Sequence, residues 1–175
     1  SFGMPVLSSI KGVTDQILDV HLMVVDPERY IEEFARCGAD SITIHQEACE
    51  DLQKALDLIH GCDVKAGISI KPGTPVETLI PYLDQAEMFL IMSVEPGFGG
   101  QAFIPESLER IRQLRKLLDE RGLEADSEVD GGIYHSNVAE VLEAGANIIV
   151  SGSGVFKGDI RKKNEEFRGI VRRYE

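Results

Sequence analysis

Runs of apolar, β-branched residues recur along this 175-residue chain at a nearly constant interval, and this interval restricts the possible folds more than any other feature. The first four runs begin about 24 residues apart, which is the length of one strand plus one helix. Nearly continuous apolar strands that alternate with helices are typical of a parallel sheet covered on both faces. The predicted strands are Ile17–Val24, Ser41–His45, Lys65–Ile70, Met88–Val94, Ser127–Asp130 and Asn147–Ser151.

Amphipathic segments between these strands predict helices. In the segment Pro27–Cys37, Pro27 lies in the first turn and Gly38 follows the last turn, which is the expected asymmetry of helix ends. The chain has no linker, low-complexity segment or change of composition, so residues 1–175 are predicted to form a single domain. The other predicted helices are Phe2–Lys11, Asp51–His60, Pro105–Arg121, Ser136–Ala144 and Ile160–Arg173.

Two parallel architectures fit this α/β pattern, an open doubly wound sheet and a closed TIM (β/α)8 barrel. An open sheet concentrates its ligand site at one switch point, whereas a barrel places chemistry at the carboxyl ends of many strands. Polar residues lie late in the predicted strands or just beyond them, which favours the barrel, although six strands are fewer than its usual eight. These residues are His21, His45, Lys71, Ser93, Asp130 and Ser151.

Composition excludes several classes of partner. The formal net charge is −12, whereas a nucleic-acid-binding protein needs a basic surface. No apolar run reaches the ~18 residues of a membrane span and no signal peptide is visible, so we expect neither a nucleic acid nor a membrane as a partner. Cys37, Cys49 and Cys62 are odd in number and lack C-x-x-C spacing, which favours a reducing, cytoplasmic location without disulfides.

Two glycine-rich segments follow predicted strands and precede helical patterns. Ser93–Gln101 contains the run Gly97–Gly100, and Glu128–Gly132 ends in two glycines. Glycines let backbone N–H groups approach an anion closely, and a helix N-terminus adds a favourable partial charge. Gly152 and Ser153 follow the last strand and could complete a phosphate clamp. Tight turns that begin helices would explain the same residues.

Asp130 and His21 are the foremost candidates for chemistry. Asp130 follows an apolar strand and precedes two glycines, so its carboxylate suits a metal ligand, a general acid or base, or both. A turn or helix-capping role fits the same context. His21, near a strand end, is either a metal ligand or a satisfied core group. His45 ends the next strand at the same level, where it could be a second ligand or a substrate contact.

Taken in order, the motifs of this chain resemble those of the ribulose-phosphate 3-epimerase family, and the resemblance covers essentially the whole chain. Met92–Gln101 together with Glu128–Gly132 is highly specific to that family. The family has a TIM (β/α)8 barrel, so the resemblance implies that this chain holds about six of the strands, the third to the eighth. The matching motifs are Asp19–Val24, Lys71–Thr74, Met92–Gln101, Glu128–Gly132 and Ser151–Ser153.

The resemblance implies an isomerase that interconverts D-ribulose 5-phosphate and D-xylulose 5-phosphate in the pentose phosphate pathway. In that family two His and two Asp bind one divalent metal ion, and the two Asp serve as acid and base on opposite faces of C3. Zinc, iron, cobalt and manganese all suit such ligands. By this resemblance, His21 and Asp130 are metal ligands, Asp130 is also catalytic, and Met23 and Met92 line the enediolate. The residues implied to contact the substrate and its phosphate are His21, Gly97, Phe98, Gly99, Gly100, Asp130, Gly131, Gly132, Gly152 and Ser153.

One departure from the family affects the expected activity. The first two strands of the family carry a substrate-contacting Ser, the first metal-binding His and the first catalytic Asp, and this sequence has no such segment. The resemblance places Asp19–Val24 in the third strand, so we expect the first two βα units to be absent and these 175 residues alone to have negligible epimerase activity.

Several alternatives stay open beside a homo-oligomeric epimerase that acts on a pentulose phosphate. The first is a 3-epimerase for a ketohexose phosphate such as allulose 6-phosphate. The second is an inactive truncated barrel that binds a sugar phosphate or acts as an oligomer partner. The third is a phosphate-binding barrel with other chemistry, such as an indole-forming or decarboxylating enzyme. Asp19–Val24 paired with Glu128–Gly132 argues against the third.

Overall fold

Six parallel strands form one sheet in residues 2–174, which are the residues that the computed structural model describes. The strands lie in the sheet in the same order as in the chain, and each pairs in parallel with the next. Ser1 and Glu175 lie outside the described residues. The strands are β1 (Asp19–Leu22), β2 (Ser41–His45), β3 (Lys65–Ile70), β4 (Met88–Met92), β5 (Asp126–Asp130) and β6 (Ile148–Val150).

The sheet curls into part of a barrel. His21 on β1 and Asp130 on β5 have three strands between them, and a flat sheet with strands about 4.8 Å apart would separate them by about 19 Å. Their side chains nevertheless approach to 3.9 Å between Nδ1 and Oδ2. The sequential strand order and this curvature exclude the open doubly wound sheet and confirm the prediction of a TIM-barrel fold.

The bounds of the inner strands β2 and β3 agree with the prediction, whereas the first strand is shorter than its apolar run. Sequence pattern predicts a strand over Ile17–Val24, but only Asp19–Leu22 pairs with β2. β2 begins at Ser41, opposite Asp19, so earlier residues face no strand and Ile17 is 77% exposed. The hydrophobic run therefore extends beyond the ladder that it forms.

Helices follow most of the strands, but two connections differ from regular α-helix. The predicted helix Pro27–Cys37 begins instead as a 3₁₀ turn, and Tyr30 with φ −118° separates that turn from the α-helix behind it. Between β3 and β4 the chain forms a 3₁₀ helix over Val76–Tyr82, in which Pro81 lacks a backbone donor. The α-helices are α1 (Met4–Lys11), α2 (Ile31–Arg36), α3 (Leu52–His60), α4 (Ser107–Glu120), α5 (Val138–Glu143), α6 (Ser153–Phe156) and α7 (Ile160–Val171).

Alternation along the strands divides apolar from polar side chains. The outward residues Ile42 and Ile44 of β2 are fully buried beneath the helices. The intervening side chains of β2 face the interior of the curled sheet, where Ser41 Oγ donates to Asp19 Oδ1 at 2.6 Å. Each strand thus contributes to an apolar layer and to a polar interior, and that polar interior leads to the carboxyl ends of the strands. No helix in residues 2–174 is long and apolar enough to cross a membrane.

Candidate active site

The carboxyl ends of the strands surround a cavity of about 330 Å³. Every residue of the predicted site except His21 lines this cavity, and His21 adjoins it through its 3.9 Å approach to Asp130. The structure therefore brings together residues that are more than 100 positions apart in the chain. The predicted residues that line the cavity are Met23, Met92, Gly97, Phe98, Gly99, Gly100, Asp130, Gly131, Gly132, Gly152 and Ser153.

The conformation of the loop after β4 is fixed by the side chain of Gln101, for which the sequence analysis predicted no role. Gln101 Nε2 donates to the carbonyl oxygens of Glu95 at 2.6 Å and Phe98 at 2.8 Å, which closes the loop on itself. Gly97 has φ 118° and Gly100 has φ 77°, and no heavy atom lies within 4 Å of the place where a Cβ would stand. This part of the loop presents bare backbone to the cavity.

The loop after β5 requires glycine for both conformation and space. Gly131 has φ 124°, and a Cβ there would lie 2.5 Å from Val94 Cγ2. Gly132 has φ 65°, and a Cβ there would collide with the backbone of Phe103. Either substitution would force the two glycine-rich loops apart, because Val94 and Phe103 belong to the segment that follows β4.

Hydrogen bonds join the three loops into one wall, which we call the glycine cradle and define as Gly97–Gly100, Gly131, Gly132, Gly152 and Ser153. Ser93 Oγ donates to Gly131 O at 2.6 Å, and Ser93 N donates to Asp130 O at 2.9 Å. The hydroxyls of Tyr134 and Ser153 lie 2.8 Å apart, which ties the third loop to the second. The cradle is thus braced before any ligand binds.

Next to the cavity, on the side of Asp130, lie two stacked imidazoles, His21 and His45, which we call the histidine pair. Their ring centroids lie 4.8 Å apart with an interplanar angle of 29°. Within residues 2–174, neither ring nitrogen of either histidine has a hydrogen-bond partner. Burial is the main cause that lowers the pKa of His21, and the neighbouring His45 lowers it further, while contact with Asp130 opposes the shift. His21 is therefore neutral at neutral pH.

His21 and Asp130 fit part of a divalent metal site. A neutral imidazole with unpartnered nitrogens beside a carboxylate has the donor chemistry that zinc, iron, cobalt and manganese accept. No cluster of three or more His, Cys, Asp or Glu with metal-binding geometry occurs in the described part of the chain. The two residues therefore supply a partial ligand set, and His45 does not add a third ligand in this geometry.

Glu47 and Arg110 form a polar network next to the histidine pair that the sequence analysis missed. Glu47 accepts hydrogen bonds from Lys71 N at 2.8 Å and from the Thr74 hydroxyl, and its Oε2 lies 3.4 Å from His45 Nδ1. Burial alone would raise the pKa of Glu47, but the contacts with His45, Thr74 and Lys71 lower it to about 2. The signal available in the sequence is a Glu two residues after a strand-ending His.

Arg110 of α4 holds the same region from the other side. Its guanidinium donates to the carbonyl oxygens of Lys71 at 2.8 Å, Thr74 at 2.9 Å and Met92 at 3.2 Å. These bonds connect the ends of β3 and β4 across 18 to 39 residues of sequence. The loop Lys71–Thr74 is therefore held by hydrogen bonds to the Glu47 carboxylate and to the Arg110 guanidinium.

Glu128 lies two residues before Asp130 on β5, so both side chains face the same side of the sheet. Glu128 is only 1% exposed. Burial is the principal cause that raises its pKa to about 9, and the carboxylates of Asp19 and Asp130 raise it further. Glu128 is therefore protonated at neutral pH, which limits the negative charge beneath the cavity. His60 and His135 lie elsewhere, near helix ends, where His60 contacts Glu87 at 3.2 Å.

The fold and the site together define the class of protein: a parallel α/β protein of the TIM-barrel type, with its candidate site at the carboxyl ends of the strands. Comparison with known proteins narrows the class. The profile of the ribulose-phosphate 3 epimerase family matches residues 1–156, and the chain belongs to that family. The resemblance indicated by its motifs is thereby confirmed, and with it the assignment to a family of epimerases, which are isomerases.

Individual relatives show the same similarity over most of the chain. Ribulose-phosphate 3-epimerase of Synechocystis sp. is 49% identical over 158 residues, which cover 89% of this chain and 69% of that protein. Ribulose-phosphate 3-epimerase of Bacillus subtilis is 42% identical over 171 residues, which cover 97% of this chain and 79% of that protein.

Solved structures with low sequence identity share the fold alone. The 3-hexulose-6-phosphate synthase of Salmonella typhimurium aligns with a TM-score of 0.76 at 13% identity, over 99% of this chain and 82% of that chain. A mutant tryptophan synthase alpha-subunit of Pyrococcus furiosus aligns with a TM-score of 0.68 at 18% identity, over 98% and 70% of the respective chains.

Proposed function

We propose that this protein is a metal-dependent ribulose-phosphate 3-epimerase that interconverts D-ribulose 5-phosphate and D-xylulose 5-phosphate, with residues 1–175 as a single domain. The observation that carries the proposal is the approach of His21 and Asp130 to 3.9 Å beside the glycine cradle. Membership of the epimerase family supplies the reaction class, and the site supplies a chemical role for each residue.

Asp130 is the proposed acid and base. C3 of the sugar adjoins a ketone, so removal of its proton leaves an enediolate whose negative charge must be stabilised. The Asp130 carboxylate, on the cavity wall, can take this proton and return it. Inversion needs a second acid or base on the opposite face of C3, because a single carboxylate returns the proton to the face from which it came.

His21 and Asp130 are the residues that would hold a divalent ion. When bound, such an ion stabilises negative charge on the substrate oxygens. His21 contributes as a neutral imidazole whose ring nitrogens are buried, and His45 packs against its ring. Met23 and Met92 both line the cavity, and their thioethers can flank the enediolate without competing for protons.

The glycine cradle is the proposed phosphate site. The net charge of −12 opposes an anion over the protein as a whole, so the phosphate must be held locally by backbone N–H groups. The open space around Gly97 and Gly100 lets an anion approach the backbone. The fixed spacing between cradle and Asp130 would then present C3 to the carboxylate.

Proton NMR in D₂O tests the chemistry directly. Each epimer is incubated with the protein and a divalent metal ion, and loss of the C3–H signal is followed beside formation of the other epimer. For residues 1–175 alone, with Asp130 as the one assigned acid and base, we expect exchange at C3 of one epimer and negligible conversion. Conversion at a comparable rate would show a second acid or base on the opposite face and would contradict the expected inactivity of these residues as an epimerase. Absence of exchange in both epimers would contradict the proposed role of Asp130.

The same experiment separates the alternatives. Binding of the sugar phosphate without any exchange would establish a non-catalytic sugar-phosphate binder, which the single Asp130 carboxylate beside His21 favours as the second candidate. Faster exchange with allulose 6-phosphate than with ribulose 5-phosphate would contradict the pentose assignment.

We also propose that the protein is a cytoplasmic homo-oligomer. Cys37, Cys49 and Cys62 are all free thiols, which suits a reducing compartment. Val13 and Ile17, between α1 and β1, are 84% and 77% exposed, and an oligomer interface would cover such apolar side chains. Light scattering coupled to gel filtration measures the mass, and a monomer near 19.3 kDa would contradict the oligomer.

A further inference from the structure

We infer that Glu47 is a positioning residue of this site: it fixes the ring of His45, which in turn holds the ring of His21 in place beside Asp130. The inference rests on the proposed function of His21 and Asp130. Glu47 contacts neither His21 nor Asp130, and it acts through its contact with His45.

The carboxylate of Glu47 is itself held rigidly. Lys71 N donates to its Oε1 at 2.8 Å, and the hydroxyl of Thr74 donates to the same oxygen. Arg110 restrains the loop that carries these donors, because its guanidinium donates hydrogen bonds to the carbonyl oxygens of both Lys71 and Thr74. The second oxygen, Oε2, is left to face His45.

His45 needs such a partner because its ring is buried and otherwise unsupported. The His45 side chain is 4% exposed, and its Nδ1 lies 3.4 Å from Glu47 Oε2, a small rotation away from a hydrogen bond. A carboxylate next to one ring nitrogen places the proton on that nitrogen and leaves the other nitrogen as an acceptor, which fixes both tautomer and orientation.

The stacked geometry transmits this constraint to His21. The two rings lie 4.8 Å apart and 29° from parallel, so rotation of the His45 ring would displace its neighbour. Among the described residues, the His21 nitrogens have no hydrogen bond that could hold the ring by itself. The stack on His45 and the 3.9 Å contact with Asp130 are therefore its visible restraints.

A simpler role for Glu47 is that it only stabilises the Lys71–Thr74 loop through its hydrogen bonds with Lys71 N and the Thr74 hydroxyl. Two variants separate the roles. Glu47→Ala removes both the loop contacts and the contact with His45, whereas Thr74→Val removes a loop contact and keeps the contact with His45. A matched control is Glu87→Ala, because Glu87 Oε2 also accepts a backbone N–H, from Ala66 at 2.7 Å, and lies 3.2 Å from His60.

The decisive readout is long-range ¹H–¹⁵N NMR of the imidazole rings in metal-free protein. Wild-type protein, Thr74→Val and Glu87→Ala should each show His45 at least about 90% in one tautomer, with protonated Nδ1. Glu47→Ala should show a mixture of tautomers at His45 and shifted ring signals at His21. Unchanged rings in folded Glu47→Ala would overturn the inference, and so would equal loss in Thr74→Val. Glu47→Gln can keep its carbonyl oxygen on Lys71 N and the Thr74 hydroxyl, so its NH2 group faces His45 Nδ1. Because that group donates, the variant should move His45 towards the tautomer protonated at Nε2, and an unchanged tautomer in folded Glu47→Gln would overturn the inference even if Glu47→Ala fails to fold.

Titration with Co²⁺ gives a second readout that separates this inference from the proposed function. Loss of the positioning residue should weaken Co²⁺ binding by about 10- to 100-fold in Glu47→Ala. Equal affinity in the variant and the wild type would overturn the positioning role. Failure of the wild type to bind Co²⁺ would instead contradict the proposed metal site, and the ring NMR would then decide the role of Glu47 alone.

Discussion

The glycine cradle and the neighbouring histidine pair differ in how their polar groups are satisfied. In the glycine cradle, Ser93, Gln101 and Tyr134 brace the loops with hydrogen bonds of 2.6–3.0 Å. In the histidine pair, no ring nitrogen has a hydrogen-bond partner within residues 2–174. Leaving a buried polar atom without a partner costs about 1–3 kcal/mol. The fold itself therefore satisfies the polar groups of the cradle, whereas it leaves the ring nitrogens of the histidine pair without hydrogen-bond partners.

Substitution of Asp130 should separate proton transfer from phosphate binding, and it should have the largest effect of the variants described below. Asp130→Asn should lower the rate of C3–H exchange by about 10²- to 10⁴-fold, because amide replaces the proposed acid and base. Affinity for the sugar phosphate should fall less than about tenfold, since the bracing of the cradle by Ser93 uses the backbone of Asp130, not its side chain. Exchange rates are measured by NMR in D₂O and affinities by calorimetry. Equal losses in both quantities would contradict the separation of phosphate binding by the cradle from proton transfer by Asp130.

A second variant tests how rigidly the cradle depends on glycine. Gly132→Ala should lower the free energy of unfolding by about 2–4 kcal/mol, because a Cβ at φ 65° would collide with the backbone of Phe103. Denaturant titration measures the change. Gly99→Ala is the matched control, since nothing lies within 4 Å of its Cβ position, and it should change stability by less than about 0.5 kcal/mol. A Gly132→Ala protein as stable as the control would show that the loops are not held together.

A third test addresses the protonated carboxyl of Glu128, two residues before Asp130 on β5. Glu128 has a pKa of about 9 in the folded protein, against about 4.5 in an unfolded chain. Between these pH values the folded state keeps a proton that the unfolded state loses. The free energy of unfolding should therefore fall as pH rises from 5 to 9, by at most about 1.4 kcal/mol per pH unit from this group.

Glu128→Gln should remove that slope, because the amide has no proton to lose. The variant should match the wild type at pH 5 and exceed its stability at pH 8, as measured by urea unfolding at each pH. Glu120→Gln is the control, since the Glu120 side chain is 60% exposed, and it should leave the slope unchanged. A wild-type slope that persists in Glu128→Gln would assign the pH dependence to other groups.

Local patterns account for the parts of the fold and site that the sequence predicts. β2 and β3 match their predicted bounds, whereas the edge strand β1 is shorter than Ile17–Val24 because one ladder limits it. β4 ends at Met92, two residues before the predicted Val94, and β5 begins at Asp126, one residue before the predicted Ser127. The glycine motifs are recognisable because loop conformation and space demand glycine at consecutive positions such as Gly131 and Gly132.

Long-range contacts account for what the sequence does not predict. Arg110 on α4 reaches back 36 residues to the carbonyl of Thr74, and nothing near Arg110 in the sequence marks that contact. The raised pKa of Glu128 likewise arises from burial and from Asp19 on another strand. Such networks depend on which strand ends lie close together in the curled sheet. Short sequence patterns do not specify that proximity.

In the proposed function, the glycine cradle binds the phosphate of a sugar and thereby places the sugar against Asp130 and His21. Titration of ¹⁵N-labelled protein with D-ribulose 5-phosphate, and in parallel with unphosphorylated D-ribulose, tests it most directly. We expect saturable shifts of the backbone amides of Gly97–Gly100, Gly131, Gly132 and Gly152 with the phosphorylated sugar, and at least about 100-fold weaker binding of the unphosphorylated one. Cradle amides that do not shift, or equal affinity for the two sugars, would contradict it.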